Sequence, residues 1–344
     1  MRWISEELRS RLASEQGVSA VLMALLIVPL LGMAALVIDV ALMYHEVRQL
    51  QNGADAAALA IAQDCAEDNC GTAESRASLA RDLADSNSRD GASAATVQYP
   101  GLDGPNSVTV TTTTRDADDT PRLAYLFAPV LGFQEGLFQR SATAVWGPLG
   151  APTGSIPVTF SICEWDLFTG GQGIDGLPTL TETIVLKTNP GRNDCAYGGP
   201  GADAPGGFGW LDLDGSGQCR AAIDASGFVS GNTGNNPPGP TSGPCTPAFF
   251  QSLIGKTIPI PIFVDAVGPG NNTVYELIGF AGFELSGYKL GSVQYTTSPN
   301  PCLAYGTGSS SRCLEGVFKT YSTLDGEIDP TAPDLGARAV QLSR

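Results

Sequence analysis

A chain of 344 residues with 42% hydrophobic side chains is long enough to bury two ordinary cores beside an anchoring segment. Its formal net charge of −16 excludes a nucleic-acid binder, which needs a basic footprint, and argues against docking on anionic lipid head groups. The single histidine, His45, sits about one turn beyond the apolar run of residues 17–38, so a catalytic triad would have to be built against a bilayer, and the chain is expected not to be an enzyme.

Residues 1–16 carry Arg2, Arg9 and Arg11 against Glu6, Glu7 and Glu15, so the acidic excess lies entirely beyond them. From Gly17 to Ile38 runs a charge-free apolar segment of 22 residues, roughly 33 Å as a helix and enough to cross a bilayer. Pro29 inside it is tolerable in a membrane helix. A cleaved secretory signal is the competing reading, with Gly32-Met33-Ala34 as its cleavage site. The run exceeds a usual signal core and continues into helical sequence, which favours an anchor. Three arginines precede the span and Arg48 is the first lysine or arginine after it. The positive-inside rule therefore puts the N-terminus in the cytoplasm and the body outside.

Beyond Asp39, apolar residues at Val47, Leu50, Ala54, Ala57, Ala58 and Ile61 keep a helical face, with Gly53 as a mild interruption. One long helix is expected, half of it in the membrane. A second helix follows at 72–88, capped by Thr72, with Ala73, Ala77, Ala80 and Ala84 inward. The spacing then predicts a strand at 107–115, a short helix at 120–132 and a strand at 137–147. Gly and Pro at 148–157 read as a linker. From 158 to 325, strand-length apolar runs alternate with Gly, Pro and Asn clusters, as in a β sandwich or barrel-like domain. Within it no amphipathic helix longer than PAFFQSLIG, from Pro247, is expected, and residues 326–344 read as a tail. The fold class is thus α+β: a transmembrane helix over 17–43, a small α+β domain over 44–147, then a Cys-containing all-β domain.

Eight cysteines without CxxC pairs or neighbouring histidines point to disulfides rather than zinc, and hence to an oxidising compartment. Closeness in sequence pairs Cys65 with Cys70 and Cys302 with Cys313. Three connectivities stay open for Cys163, Cys195, Cys219 and Cys245; the shortest loops favour Cys163–Cys195 and Cys219–Cys245. No cofactor is expected apart from calcium. Asp212, Asp214 and Ser216 match the opening of a calcium loop, but Ile223 stands where its closing Glu belongs, and an ordinary Asp/Gly turn explains them equally. Ser286-Gly287-Tyr288-Lys289 matches an acylating SxxK motif in sequence that reads as strand and turn, where that chemistry is not built.

Gly17 before the apolar run, Asp39 at its outer end, and Leu50-Gln51-Asn52 leading into Ala54-Asp55-Ala56-Ala57-Ala58-Leu59-Ala60 give residues 17–62 a specific signature. This segment resembles the N-terminal region of the TadE/TadG-like proteins of the Flp (tight adherence) pilus system, and Ser141-Ala142-Thr143-Ala144 resembles the close of that region. The resemblance implies a pilin-like domain over 44–147 in a membrane-anchored accessory protein or minor pseudopilin of pilus assembly or surface attachment. Its implied partners are the bilayer and other pilus-system membrane proteins. Prepilin-type precursors carry Glu about five residues past the processed Gly, where this chain has Leu22. The DxSxS loop of the metal-binding domain found in many relatives is missing. Gly17, Gly32, Ala34, Ala35 and Asp39 are the residues expected to pack the helix against others. The alternative function is an anchored module for carbohydrate or cell wall, with Tyr197, Phe208 and Trp210 as stacking aromatics.

Overall fold

The computed structural model describes residues 3–115, 120, 122–132, 135–152, 155–169, 184–189, 208–223, 226–232, 237–239, 243–268, 273–291, 293–295 and 312–343. Cys195, Tyr197 and Cys302 lie outside them. The fold is mixed α+β. Helix α1 runs without a break from Trp3–Ala66, through Pro29, and α2 covers Ala73–Asn87. Strands β1 (Ser93–Gln98), β2 (Ser107–Thr114), β3 (Leu123–Ala124), β4 (Glu135–Gly136) and β5 (Gln139–Pro148) follow. The remainder is β6 (Val158–Ser161), α3 (Ile162–Thr169), β7 (Ile184–Asn189), β8 (Phe208–Leu211), β9 (Phe228–Asn232), α4 (Pro247–Gln251), β10 (Thr257–Val267) and β11 (Val274–Leu290). Among the described residues, β12 (Val293–Tyr295), β13 (Arg312–Phe318), β14 (Tyr321–Thr323) and β15 (Ala337–Leu342) follow. One five-stranded sheet has the order β1-β2-β5-β15-β14.

Two compact units can be distinguished. The first comprises residues 1–57, 77–97 and 110–142. Here Leu50, Ala54 and Ala57 of α1 are buried, as are Ala80 and Ala84 of α2. Gly53 packs closely on α2: a Cβ there would meet Ala84 Cα at 3.1 Å, so this glycine serves packing rather than interrupting the helix. Thr112 of β2 donates its hydroxyl to the Leu50 carbonyl at 2.8 Å, holding strand against helix.

The second unit comprises residues 58–76, 98–109 and 143–344. Its larger sheet follows the path β10-β6-β8-β9-β11-β13-β7, and β10 also pairs antiparallel with β11. That extra pairing closes β10, β6, β8, β9 and β11 into a ring, the barrel-like form expected of alternating strands. Phe160, Trp210, Ile260, Ile262, Phe283 and Tyr288 fill its main core. Tyr275 packs in a second cluster, where a Cβ on Gly209 would strike its ring at 2.2 Å, and burial pushes its hydroxyl up to about 12. Disulfides join Cys65 to Cys70 and Cys219 to Cys245. Cys163 and Cys313 are also disulfide-bonded, but the pairings expected of them involve Cys195 and Cys302, outside the described residues.

Four segments differ from the sequence reading. The helix expected at 120–132 is a β3–β4 hairpin enclosing one 3-10 turn, Ala128–Leu131. Pro129 cannot sit inside an α-helix without losing a hydrogen bond and clashing with the carbonyl four residues back, so it opens a turn instead. The expected linker is packed: Leu149 is buried, bridges to Ile328, and its amide donates to the Ala337 carbonyl at 3.0 Å. The expected tail carries β15, which pairs with β5 from Arg338↔Pro148 to Leu342↔Ala144 and buries Ala337, Ala339 and Val340. Finally, α3 interrupts the β-rich region because the Ser161 hydroxyl accepts the Glu164 amide at 3.3 Å and starts a helical turn.

Candidate functional site

One arrangement in the first unit stands out chemically. Asp39, on α1, is only 4% exposed although its neighbours Ile38 and Val40 are open. Its Oδ1 accepts the amides of Leu126 at 3.0 Å and Phe127 at 3.2 Å. Its Oδ2 accepts Phe127 at 3.0 Å and Ala128 at 2.5 Å. These amides belong to the entry of the 3-10 turn, whose first residues have no intrahelical acceptor. Phe127, at the N-cap position, makes no side-chain capping bond, so the carboxylate from another element does that work. A carboxylate at the end of an apolar run is costly unless its oxygens are satisfied, and here both are.

A cavity of about 410 Å³ lies between α1 and the turn. On the helix side it is lined by Gly32, Ala35, Leu36, Asp39, Val40 and Met43, a single face at spacings of three and four. On the turn side stand Tyr125, Phe127, Ala128 and Val130. Asp39 is the one carboxylate side chain among these lining residues, and it faces the turn's amides.

The residues expected to pack the helix are thus divided. Gly32, Ala35 and Asp39 share the cavity face, whereas Ala34 is exposed and is not part of it. Gly17 lies within α1. A Cβ on Gly32 would have no atom within 4 Å, leaving this face open. The hairpin partner of Asp39 was missed in the sequence. Its signal was present, though: Leu123 to Gly132 is a charge-free run broken by Pro129.

The other candidates are less organised. Asp214 Oδ1 accepts the Ser216 amide at 2.9 Å, and Asp212 Oδ1 accepts the Asn232 side-chain amide at 3.1 Å. The Ser216 side chain and amide hold the Asp214 carboxyl below its ordinary range. Among the described residues, no group of three or more His, Cys, Asp or Glu could hold a metal ion. Ser286 is the extra residue of a bulge in β11, not the start of a helix. Trp210 is buried in the barrel core and presents no face to a sugar. His45 is exposed on α1.

At the end of α1, in the second unit, Arg338 is buried and donates from Nη1 to the Ala66 carbonyl at 2.7 Å and to Asp68 Oδ1 at 2.8 Å. Its Nε donates to Asp334 Oδ2 at 2.9 Å. Burial works against its charge, but Asp68 and Asp334 outweigh that and raise its pKa further. Thr320 donates to the Glu67 carbonyl at 3.0 Å and Ser322 to its carboxylate at 2.7 Å, so β14 also grips the helix end.

The helix is long and apolar enough to cross a membrane, by length and composition. No curated protein and no solved structure matches the chain. Residues 17–64, the segment that carries the apolar run, Asp39 and the Ala-rich face, match the family model described as "Putative Flp pilus-assembly TadE/G-like".

Proposed function

We propose that the protein is a membrane-anchored structural component of Flp/Tad pilus assembly, a minor pseudopilin-like accessory rather than an enzyme. Its N-terminus is cytoplasmic and its disulfide-bonded body lies outside. The family match over residues 17–64 carries this reading, because it covers the apolar helix together with its first exposed turns. The arginine bias before the span and the disulfides beyond it support the orientation.

The test is deletion of the gene in its host, with piliation scored by microscopy, and pull-down of the membrane-extracted chain. Loss of surface pili, restored by the full chain, and co-extraction of pilus-system membrane proteins are expected. Normal piliation without such partners would overturn the role. Protease added to intact spheroplasts should degrade the body, and full protection would reverse the orientation.

Calcium at Asp212, Asp214 and Ser216 is a separate proposal, carried by their alternate spacing alone. Titration calorimetry at millimolar calcium should give a heat of binding and a higher melting temperature. A flat titration retires the site.

A further inference from the structure

Among its described residues, the β3–β4 hairpin leaves several apolar side chains exposed. Val130 is 87% exposed and Leu126 65% exposed, and Phe127 is open as well. Single exposed apolar residues are common on any protein surface. What distinguishes these is where the turn is fastened. Asp39 holds it at the end of the apolar run, and the cavity they share extends down α1 to Gly32. At 1.5 Å per residue, Gly32 lies roughly 10 Å beyond Asp39 towards the middle of the span. Leu36, on the same face, lies roughly 4.5 Å beyond it. The exposed apolar side chains of the turn therefore continue the exposed apolar band of the helix, which includes Leu30, Leu31, Met33 and Val37.

We propose that this turn is a second membrane contact: it dips into the leaflet on the Asp39 side, with Leu126, Phe127 and Val130 at the boundary between head groups and acyl chains. The occupant is lipid. Residues 123–132 contain no charge to oppose burial there. The contact needs no basic cluster, consistent with an acidic chain that has little to offer anionic head groups. The groove beneath the turn is lined mostly by apolar side chains, with the satisfied Asp39 and the Tyr125 hydroxyl as its polar groups, and acyl chain fills such a space better than water does. Asp39 thereby has a defined task. Its two oxygens accept the amides that a turn entering a lipid interface could not leave unpaired. The expected result is an anchor held by a helix and a wedge.

The proposal rests on α1 spanning a bilayer, and the test separates the two. Full-length protein is reconstituted in phosphatidylcholine vesicles, with one added cysteine spin-labelled at Leu26, Val130 or Leu324. All three positions are more than half exposed, so the substitution disturbs no core. Relative accessibility to oxygen and to a water-soluble nickel chelate is read by electron paramagnetic resonance. Leu26→Cys should read as deep lipid, Leu324→Cys as water, and Val130→Cys as shallow lipid, with oxygen favoured severalfold over nickel. An aqueous Val130 label beside a lipid-buried Leu26 label overturns the wedge and leaves the anchor standing. An aqueous Leu26 label overturns both. A Val130 label shielded from both reagents means that a second copy or another helix covers the turn, and lipid is not the occupant. Adding Asp39→Ala to Val130→Cys should return the label to water, while an unchanged reading would show that Asp39 does not position the turn.

Discussion

Asp39→Ala is expected to release the turn at 126–131 from α1, speeding hydrogen exchange at the amides of Leu126, Phe127 and Ala128 by two to three orders of magnitude. Three backbone donors converge on this carboxylate, one shared between its two oxygens. A hydrogen bond to a charged group contributes about 1.5–3 kcal/mol, and donors on one acceptor are not additive. A local loss of about 3–4 kcal/mol follows, and each 1.4 kcal/mol is a factor of ten in opening. The rest of the fold should hardly notice. The hairpin is two residues on each side and contributes little to any core, so the melting temperature of the body should stay within a degree or two. Asp39→Asn keeps one carbonyl oxygen but replaces the other acceptor with a donor, and should speed exchange about tenfold. Exchange by mass spectrometry on peptides covering 123–132, in the reconstituted protein, checks both. Unaltered exchange in Asp39→Ala would mean that the turn is held by its apolar contacts alone.

Arg338→Met should lower the stability of the second unit by about 3 kcal/mol and its melting temperature by several degrees. The guanidinium is buried, yet it joins three elements: the last carbonyl of α1, Asp68 just beyond it, and Asp334 before β15. Removing it strips the Ala66 carbonyl of its charged donor and leaves two carboxylates close together without the cation that balanced them. Both carboxylates keep partial access to water, which limits the loss to the lower end of what breaking a buried ion pair costs. Arg338→Lys retains the charge but cannot reach three acceptors from one planar fork, so it should recover less than half of the loss. Thermal melts of the detergent-solubilised protein, followed by circular dichroism, provide the measurement. A wild-type melt for Arg338→Met would show that β15 is held by its pairing to β5 and β14 alone.

The elements legible in the sequence were those whose signal is local and periodic. The apolar run from Gly17 to Ile38, the alanine face from Leu50 to Ile61 and the Thr72 cap all announce helices within a few residues. The β-branched run at 107–114 and the long apolar runs of β10 and β11 announce strands in the same way. Cys65 and Cys70 could be paired because a bridge across four residues needs no knowledge of topology.

Other features depended on partners distant in the chain. Residues 337–342 alternate too weakly to announce a strand, and they became one because β5 offers an unpaired edge. Gly53 looked like a flaw in a helix until Ala84 was found against it. The turn at 126–131 reads locally as a helix and is not one, since Pro129 resets it and a carboxylate 87 residues earlier takes its first amide. Local propensity specifies what a segment can form at a cost of tenths of a kcal/mol per residue. Burial, charged hydrogen bonds and sheet edges are worth several times more per contact, and they depend on which residues meet, so they decided where Asp39 and Arg338 would act.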